Sequence, residues 1–370
     1  MMKLMATPKS MDLDITTRCN LRCAYCSHFE STGDVKEDLA LQEWLNFFEE
    51  LNDCAVTTVT ICGGEPFYRG DLKDIIGGIV RNRMRFSILS NGTLITQEMA
   101  SFLASTRRCD SVQVSLDGSM PVTHDSARGE GSFVKAIEGI KNLQKRGVQV
   151  TVRVTIHKKN VRDLENIARL LLEDIGLKGF STNSASQLGL CRKNTEDLSL
   201  GIEEQVLAMD TLLKLNKRYD NRISASAGPL ANAKAWIAME TARCEGKDGI
   251  PGRGYLVSCG GVLSKLGVRA DGVIVPCCQM SHIELGRINK DNLRDIWHNH
   301  PELKKMRERR DISLSEFDFC KGCVYLKYCA GGCPALSYTI AGDAYRPSPD
   351  ACLRRFLKEG GRLPAEALPV

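Results

Sequence analysis

Cys19, Cys23 and Cys26 stand near the start of the chain in the order C-x3-C-x2-C. Thiolates at such short spacing hold iron–sulfur clusters or zinc. A three-cysteine array with no fourth ligand nearby leaves one metal position open to a substrate or cofactor. Two further arrays lie toward the other end. Cys259 and Cys277 flank Gly272 in the pattern C-x12-G-x4-C, and Cys320, Cys323, Cys329 and Cys333 run as C-x2-C-x5-C-x3-C, closed by Cys352. Ten of the 16 cysteines fall into these arrays. The single-electron chemistry of iron–sulfur centres, or a set of zinc staples, is what such a chain can do.

The rest of the composition bounds the setting. A chain of 370 residues with 43% hydrophobic and 26% charged residues is an ordinary globular sequence, long enough for two or three domains. The net charge of +5 is spread without a basic block, so neither nucleic acid nor a membrane surface is implied as a partner. The first ten residues lack the apolar core of a signal peptide, and no apolar run is long enough to span a bilayer. The expectation is a cytoplasmic protein, where thiols stay reduced and cysteine arrays read as metal sites.

The elements that must position the cysteines are legible as alternating apolar runs and amphipathic stretches. Strands are predicted at Met11–Thr16, Val56–Ile61, Phe86–Leu89, Ser111–Leu116, Val148–Ile156 and Lys178–Thr182. Helices are predicted at Leu41–Leu51, Leu72–Arg81, Gln97–Ala104, Phe133–Arg146, Val161–Asp174 and Glu203–Tyr219. Six β/α units argue for a parallel sheet, open or curled, with ligands at the carboxyl ends of its strands. The residues that punctuate those ends suit that place: the first cysteine array, then Gly63-Gly64-Glu65-Pro66, Ser90-Asn91 and Asp117-Gly118. Asp117 reads as a turn-capping carboxylate. After about Ile223 the sequence turns glycine-rich, with a hairpin-like segment at Leu266–Pro276 and one helix at Asn292–Arg309 whose basic end reads as a solvated face. The expected domains are residues 1–222, a bridging region 223–254, a cysteine-rich extension 255–358 and a loose tail 359–370.

C-x3-C-x2-C after a first strand, with Gly-Gly-Glu-Pro after a second, resembles the radical S-adenosylmethionine superfamily. The later arrays resemble its SPASM extension, and the two together cover nearly the whole chain. The resemblance implies a partial (β/α)6 TIM-type barrel followed by a cysteine-rich iron–sulfur extension. It puts three irons of a 4Fe–4S cluster on Cys19, Cys23 and Cys26, with the fourth iron taking the amino and carboxylate groups of S-adenosylmethionine. Reductive cleavage of the sulfonium then gives a 5′-deoxyadenosyl radical. By the same resemblance Tyr25 lies near the cluster and adenine, Gly63 and Gly64 let the backbone approach the methionine moiety, and Glu65 accepts from its amino group. Ser115 and Arg153 match positions that contact ribose and carboxylate.

In the extension, the resemblance assigns Cys320, Cys323, Cys329 and Cys352 to one auxiliary 4Fe–4S cluster and Cys259, Cys277 and Cys333 to another, three clusters in all. Related sequences carry a further cysteine six residues before the position of Cys259. Here that position is Arg253, so the fourth ligand is either Cys244 or an open, substrate-filled iron. Cys278 replaces an aspartate found in anaerobic sulfatase maturases; it places a thiol beside the substrate or is a small buried side chain. Cys54, Cys62, Cys109 and Cys191 read as buried residues. His124-Asp125-x2-Arg128 reads as a loop over the active site, either ordering it by an ion pair or contacting substrate.

The implied activity is modification of a residue in a ribosomally made peptide or protein, giving a crosslink or an oxidised side chain. The SynChlorMet-cassette group is one possible subgroup. Alternatives are a radical dehydrogenase or epimerase of a sugar-like molecule and a sulfatase-maturase-like enzyme. The implied partners are a precursor peptide and a flavodoxin- or ferredoxin-type electron donor; because only about ten residues precede the first strand, leader binding would need a separate leader-binding protein or the extension itself.

Overall fold

A computed structural model describes residues 4–28 and 37–364. The last six residues of the expected tail lie outside the described residues. The chain runs through β1 (Ser10–Thr16), α1 (Leu41–Asp53), β2 (Thr58–Gly63), α2 (Leu72–Arg81), β3 (Arg85–Ser90), α3 (Gln97–Thr106) and β4 (Cys109–Ser115). It continues through α4 (Pro121–Arg128), α5 (Ser132–Lys145), β5 (Val150–Ile156), α6 (Leu164–Arg169), β6 (Phe180–Ser184), α7 (Ile202–Arg218), β7 (Ile223–Ala225) and α8 (Pro229–Cys244). The remainder holds β8 (Lys265–Val268), β9 (Val273–Val275), β10 (Gly286–Arg287), α9 (Leu293–Asn299), α10 (Pro301–Glu308), α11 (Pro334–Ala341) and α12 (Leu353–Lys358). All six expected strands and all six expected helices are present, and the class is α/β.

Two compact units divide the chain. The first comprises residues 1–116, 128–152 and 260–307. Its strands lie in the order β10-β9-β8-β1-β2-β3-β4, parallel except for the β8/β9/β10 turns. Met11, Leu13, Ile15, Val59, Ile61, Phe86, Ile88, Val112 and Val114 are buried along these strands. In α1, Trp44, Phe47, Phe48 and Leu51 recur at i, i+3, i+4 and i+7, so one stripe of the helix is apolar and buried. Each such side chain contributes about 1.5–3 kcal/mol of burial. The Leu266–Pro276 hairpin forms as expected, but β8 also pairs in parallel with β1, joining Lys265–Val268 to Ser10–Leu13.

The expected Asn292–Arg309 helix is two helices, α9 and α10, broken at His300. Pro301 excludes its predecessor from helical backbone, and His300 is extended at ψ 124°. Nor is its basic end simply solvated. Arg307 stacks on Trp297 at 4.4 Å and donates to the carbonyls of Val262 and Trp297 at 2.9 and 2.7 Å.

The second unit comprises residues 117–127, 153–259 and 308–370. It carries the order β5-β6-β7, all parallel. Its core joins α8 to the last helix: Met209, Ala233, Trp236 and Met239 pack with Tyr325, Tyr328, Leu353 and Phe356. Trp236 lies 4.8 Å from Phe356 between ring centroids, and its indole donates to the Ala351 carbonyl at 3.3 Å. The stretch expected only to bridge, 223–254, therefore holds a strand and a 16-residue helix. Pro229 starts that helix, where its missing N–H costs nothing. No helix among the described residues is long and apolar enough to cross a membrane.

Candidate radical and iron–sulfur sites

The first cysteine array leaves β1 as a loop tied to the segment that leaves β2. The Gly64 N–H donates to the Thr16 carbonyl and the Glu65 N–H to the Arg18 carbonyl, both at 2.8 Å. A Cβ on Gly63 would meet the Thr16 carbonyl oxygen at 2.4 Å, and one on Gly64 the Arg18 carbonyl oxygen at 2.2 Å. Gly63 also has φ 122°, which L side chains rarely adopt. Both glycines are thus demanded by the cysteine loop itself, a reason additional to any cofactor. Within the loop the Cys26 N–H bonds back to the Cys23 carbonyl at 3.0 Å, and Cys19 Sγ accepts from the Leu21 N–H at 3.4 Å.

Glu65 is 1% exposed. Its carboxylate accepts from the Phe67 N–H at 3.1 Å, Ser90 Oγ at 2.9 Å and the Asn91 N–H at 2.7 Å. Burial nevertheless pushes its pKa up to about 7, against those hydrogen bonds and the more distant Arg128. Asn91 in turn donates to Cys19 Sγ at 3.8 Å and to Asn20 Oδ1 at 2.9 Å. Arg128 approaches Cys23 Sγ at 4.0 Å and stacks on Tyr25 at 5.4 Å. Burial raises the Cys19 thiol, and the Glu65 charge adds to the rise.

Sequence reasoning expected a loop at His124–Arg128; it is helix α4. His124 Nδ1 accepts from the Asp117 N–H at 3.0 Å. Asp117 is fully buried, its Oδ1 accepting from the Thr155 N–H at 2.7 Å while Asn160 donates to its carbonyl at 2.9 Å. It therefore ties the end of β4 to β5 and is a structural carboxylate, as its turn position suggested. Ser115 is half-buried at the end of β4, in the first unit. Arg153, in the second unit, donates Nε to Ser181 Oγ at 2.8 Å.

Cys320, Cys323, Cys329 and Cys352 line one largely apolar cavity with Leu314 and Met239. Burial and then the neighbouring Cys329, Cys352 and Cys323 push the Cys320 thiol up to about 11. Backbone N–H groups already point at two of these sulfurs, from Gly331 to Cys329 and from Arg355 to Cys352, each at 3.4 Å. The remaining extension cysteines divide between the units, Cys277 in the first and Cys259 and Cys333 in the second. Arg309, 1% exposed, donates to the carbonyls of Ala344 at 2.7 Å, Arg346 at 3.2 Å and Val257, and burial lowers its pKa from the ordinary guanidinium value. Cys244 is exposed at the last turn of α8, hydrogen-bonded to Glu240 at 3.7 Å.

Among the described residues, the one group of three such donors that closes to within 4.8 Å is Asp14, Cys62 and Cys278. The Cys19–Cys26 and Cys320–Cys352 sets are more open than that. A single zinc ion needs tight tetrahedral donors, whereas a cuboidal cluster takes one thiolate per iron and needs them spread. The open sets fit clusters. The tight group was missed from sequence, where Cys62 read as merely buried. The signal available was the pair of acidic residues inside an apolar strand, Met11-Asp12-Leu13-Asp14-Ile15.

The radical SAM superfamily model matches residues 13–171, and the SPASM model, an iron–sulfur cluster-binding domain, matches residues 259–324. The AdoMet-dependent heme synthase of Methanosarcina barkeri is 26% identical over 356 residues, covering 94% of this chain and 97% of that protein. The PqqA peptide cyclase of Ruegeria pomeroyi is 23% identical over 346 residues, covering 92% and 86%. The fold is that of Streptococcus suis SuiB, solved bound to the precursor peptide SuiA: the TM-score is 0.71 at 16% identity, over 95% of this chain and 77% of that one.

Proposed function

We propose that this chain, a radical S-adenosylmethionine enzyme with a C-terminal SPASM extension, abstracts hydrogen from a residue of a ribosomally made peptide and leaves a crosslink or an oxidised side chain. The observation that carries the reading is the loop of Cys19, Cys23 and Cys26, pinned through Thr16 and Arg18 to Gly64 and Glu65. Bound there, a 4Fe–4S cluster with S-adenosylmethionine supplies a 5′-deoxyadenosyl radical able to attack an unactivated C–H bond. The three cysteines hold three irons. Glu65 accepts from the ammonium of the methionine moiety, beside backbone kept free of side chains at Gly63 and Gly64. Tyr25, braced by Arg128, lies toward the adenine. Ser115 and Arg153 contact ribose and carboxylate.

Two auxiliary 4Fe–4S clusters bring the total to three. Cys320, Cys323, Cys329 and Cys352 hold one, and Cys259, Cys277 and Cys333 the other, with Cys244 or substrate at its fourth position. Such clusters suit the removal of an electron from a substrate radical, which a peptide crosslink requires. The relation to the PqqA peptide cyclase supports a peptide substrate. A flavodoxin- or ferredoxin-type donor supplies electrons, and the leader is bound by a separate protein or by the extension. A second reading, the synthesis of a heme, is favoured by the near end-to-end match to the heme synthase.

The test is anaerobic reconstitution of the wild type and of Cys19/Cys23/Cys26→Ala. About 12 irons per chain should fall to about 8 in the variant, with loss of 5′-deoxyadenosine formation. Assays then pair the wild type with short peptides encoded beside its gene, and separately with an iron coproporphyrin. A peptide product lighter by two hydrogens supports the main reading; turnover of the porphyrin alone replaces it with the second.

A further inference from the structure

We infer that Asp14, Cys62 and Cys278 form an additional metal site, separate from the three cysteine arrays, that binds one divalent ion of the zinc class. The donors come from three different elements: Asp14 from β1, Cys62 from β2, and Cys278 from the turn after β9, all in the first unit. Register places Asp14 directly beside Cys62 on adjacent parallel strands. The three donor atoms lie within 4.8 Å of one another, and Cys62 Sγ also reaches the Thr60 carbonyl at 3.6 Å. Zinc at about 2.3 Å from sulfur and about 2.0 Å from oxygen needs tetrahedral donor separations of about 3.5–3.8 Å. Each side chain then moves by no more than about 1 Å.

The group is acidic and buried, and the lysine near it, Lys265, is engaged by Asp12 at 2.6 Å. Asp14 is 7% exposed, and its neighbours are two thiols, the Asp12 carboxylate and His28, whose Nδ1 is 4.0 Å from Oδ2. Burial raises the Asp14 pKa, and the hydrogen bond with Cys278 followed by burial holds the Cys62 thiol well above its ordinary value. A divalent ion displaces the two thiol protons to solvent and leaves two thiolates and one carboxylate around a charge of two. A thiolate pair selects zinc over magnesium or calcium. Three protein donors leave a fourth position for water, the pattern of zinc sites that act as Lewis acids. The site is close in sequence to the chemistry on each side: Cys62 precedes Gly63-Gly64-Glu65 and Cys278 follows Cys277.

The inference stands apart from the proposed function, and the measurements keep the two distinct. Full-length protein with its clusters reconstituted is loaded with zinc, desalted, and assayed for zinc, iron and 5′-deoxyadenosine formation. The wild type should retain one zinc per chain, with X-ray absorption at the zinc edge showing two sulfurs at about 2.3 Å and the rest oxygen or nitrogen near 2.0 Å. Cys62→Ser/Cys278→Ser should retain under a tenth of that zinc with iron unchanged. Asp14→Asn keeps both thiols and the side-chain shape; its zinc affinity should fall at least tenfold, which covers the case in which the double variant fails to fold. Zinc that survives in the double variant, three or four sulfurs around it, no retained zinc in the wild type, or a Cys62–Cys278 disulfide in anaerobically isolated protein each overturns the inference.

Discussion

Asn91 links Glu65 to the first cysteine array. The Asn91 N–H donates to the Glu65 carboxylate at 2.7 Å, and the Asn91 side chain reaches on to Cys19 Sγ at 3.8 Å. One residue therefore sets both the carboxylate expected to meet the cofactor's ammonium and a thiol expected to hold iron.

That carboxylate gives a pH signature. Burial raises Glu65 from 4.5 to about 7, so in the ligand-free protein it stays protonated up to neutrality. A raised acid binds its proton more tightly folded than unfolded. Its contribution to stability is thus greatest below 4.5 and falls by roughly 3 kcal/mol as pH rises through 7. An ammonium needs the ionised form, so S-adenosylmethionine affinity should weaken up to about tenfold per unit below pH 7, with one proton released on binding. Calorimetry in buffers of different ionisation enthalpy measures that proton. Glu65→Gln should abolish it, and a proton count unchanged in the variant would assign it elsewhere.

Gly64→Ala should separate folding from cluster binding. Its Cβ would sit 2.2 Å from the Arg18 carbonyl oxygen, on backbone that cannot rotate away. The loop must shift, at a cost of about 1–3 kcal/mol. Iron content after reconstitution should fall by about one cluster while the absorbance of the others persists. Full iron loading would show that the cysteine loop tolerates the displacement.

Arg128 is a cation near Cys23 Sγ, at 4.0 Å. A positive charge favours the more negative, reduced state of a cluster. Arg128→Gln should therefore lower the potential of the radical-site cluster by some tens of millivolts, read by redox titration with electron paramagnetic resonance. An unchanged potential would mean that the guanidinium acts only through its stacking on Tyr25.

Arg309→Met tests a buried brace. Removing the guanidinium leaves the carbonyls of Val257, Ala344 and Arg346 without their donor. The expected loss is about 3–5 kcal/mol, seen as a lower midpoint of thermal unfolding. Signals from the auxiliary clusters should broaden while those of the first cluster stay sharp. No change in unfolding would mean that water takes over the three carbonyls.

The strands were legible because apolar and polar residues alternate with the buried face, as at Val112-Gln113-Val114, and the helices because α1 repeats its large residues at helical spacing. The cysteine arrays were legible because their ligands are close in sequence. Two kinds of feature were not. Helix α8 is rich in alanine, with too little apolar contrast to stand out beside the glycines that follow it. The Asp14, Cys62 and Cys278 group depends on strand register and on a turn far along the chain, and no local pattern carries that information. Arg309 looked like one of a run of surface charges and is instead the most buried of them.

The pairing of β8 with β1 bears on how this protein can be taken apart. Residues 265–268 cover one side of Ser10–Leu13, the strand that delivers the first cysteine loop. A fragment ending at residue 222, the natural cut for anyone wishing to isolate the barrel or graft on another extension, would strip that strand of a neighbour. It would then offer a row of unpaired N–H and C=O groups beside Met11, Leu13 and Ile15, a template for aggregation. Chimeras that exchange extensions should keep the 265–275 hairpin with the barrel and make their joint after it.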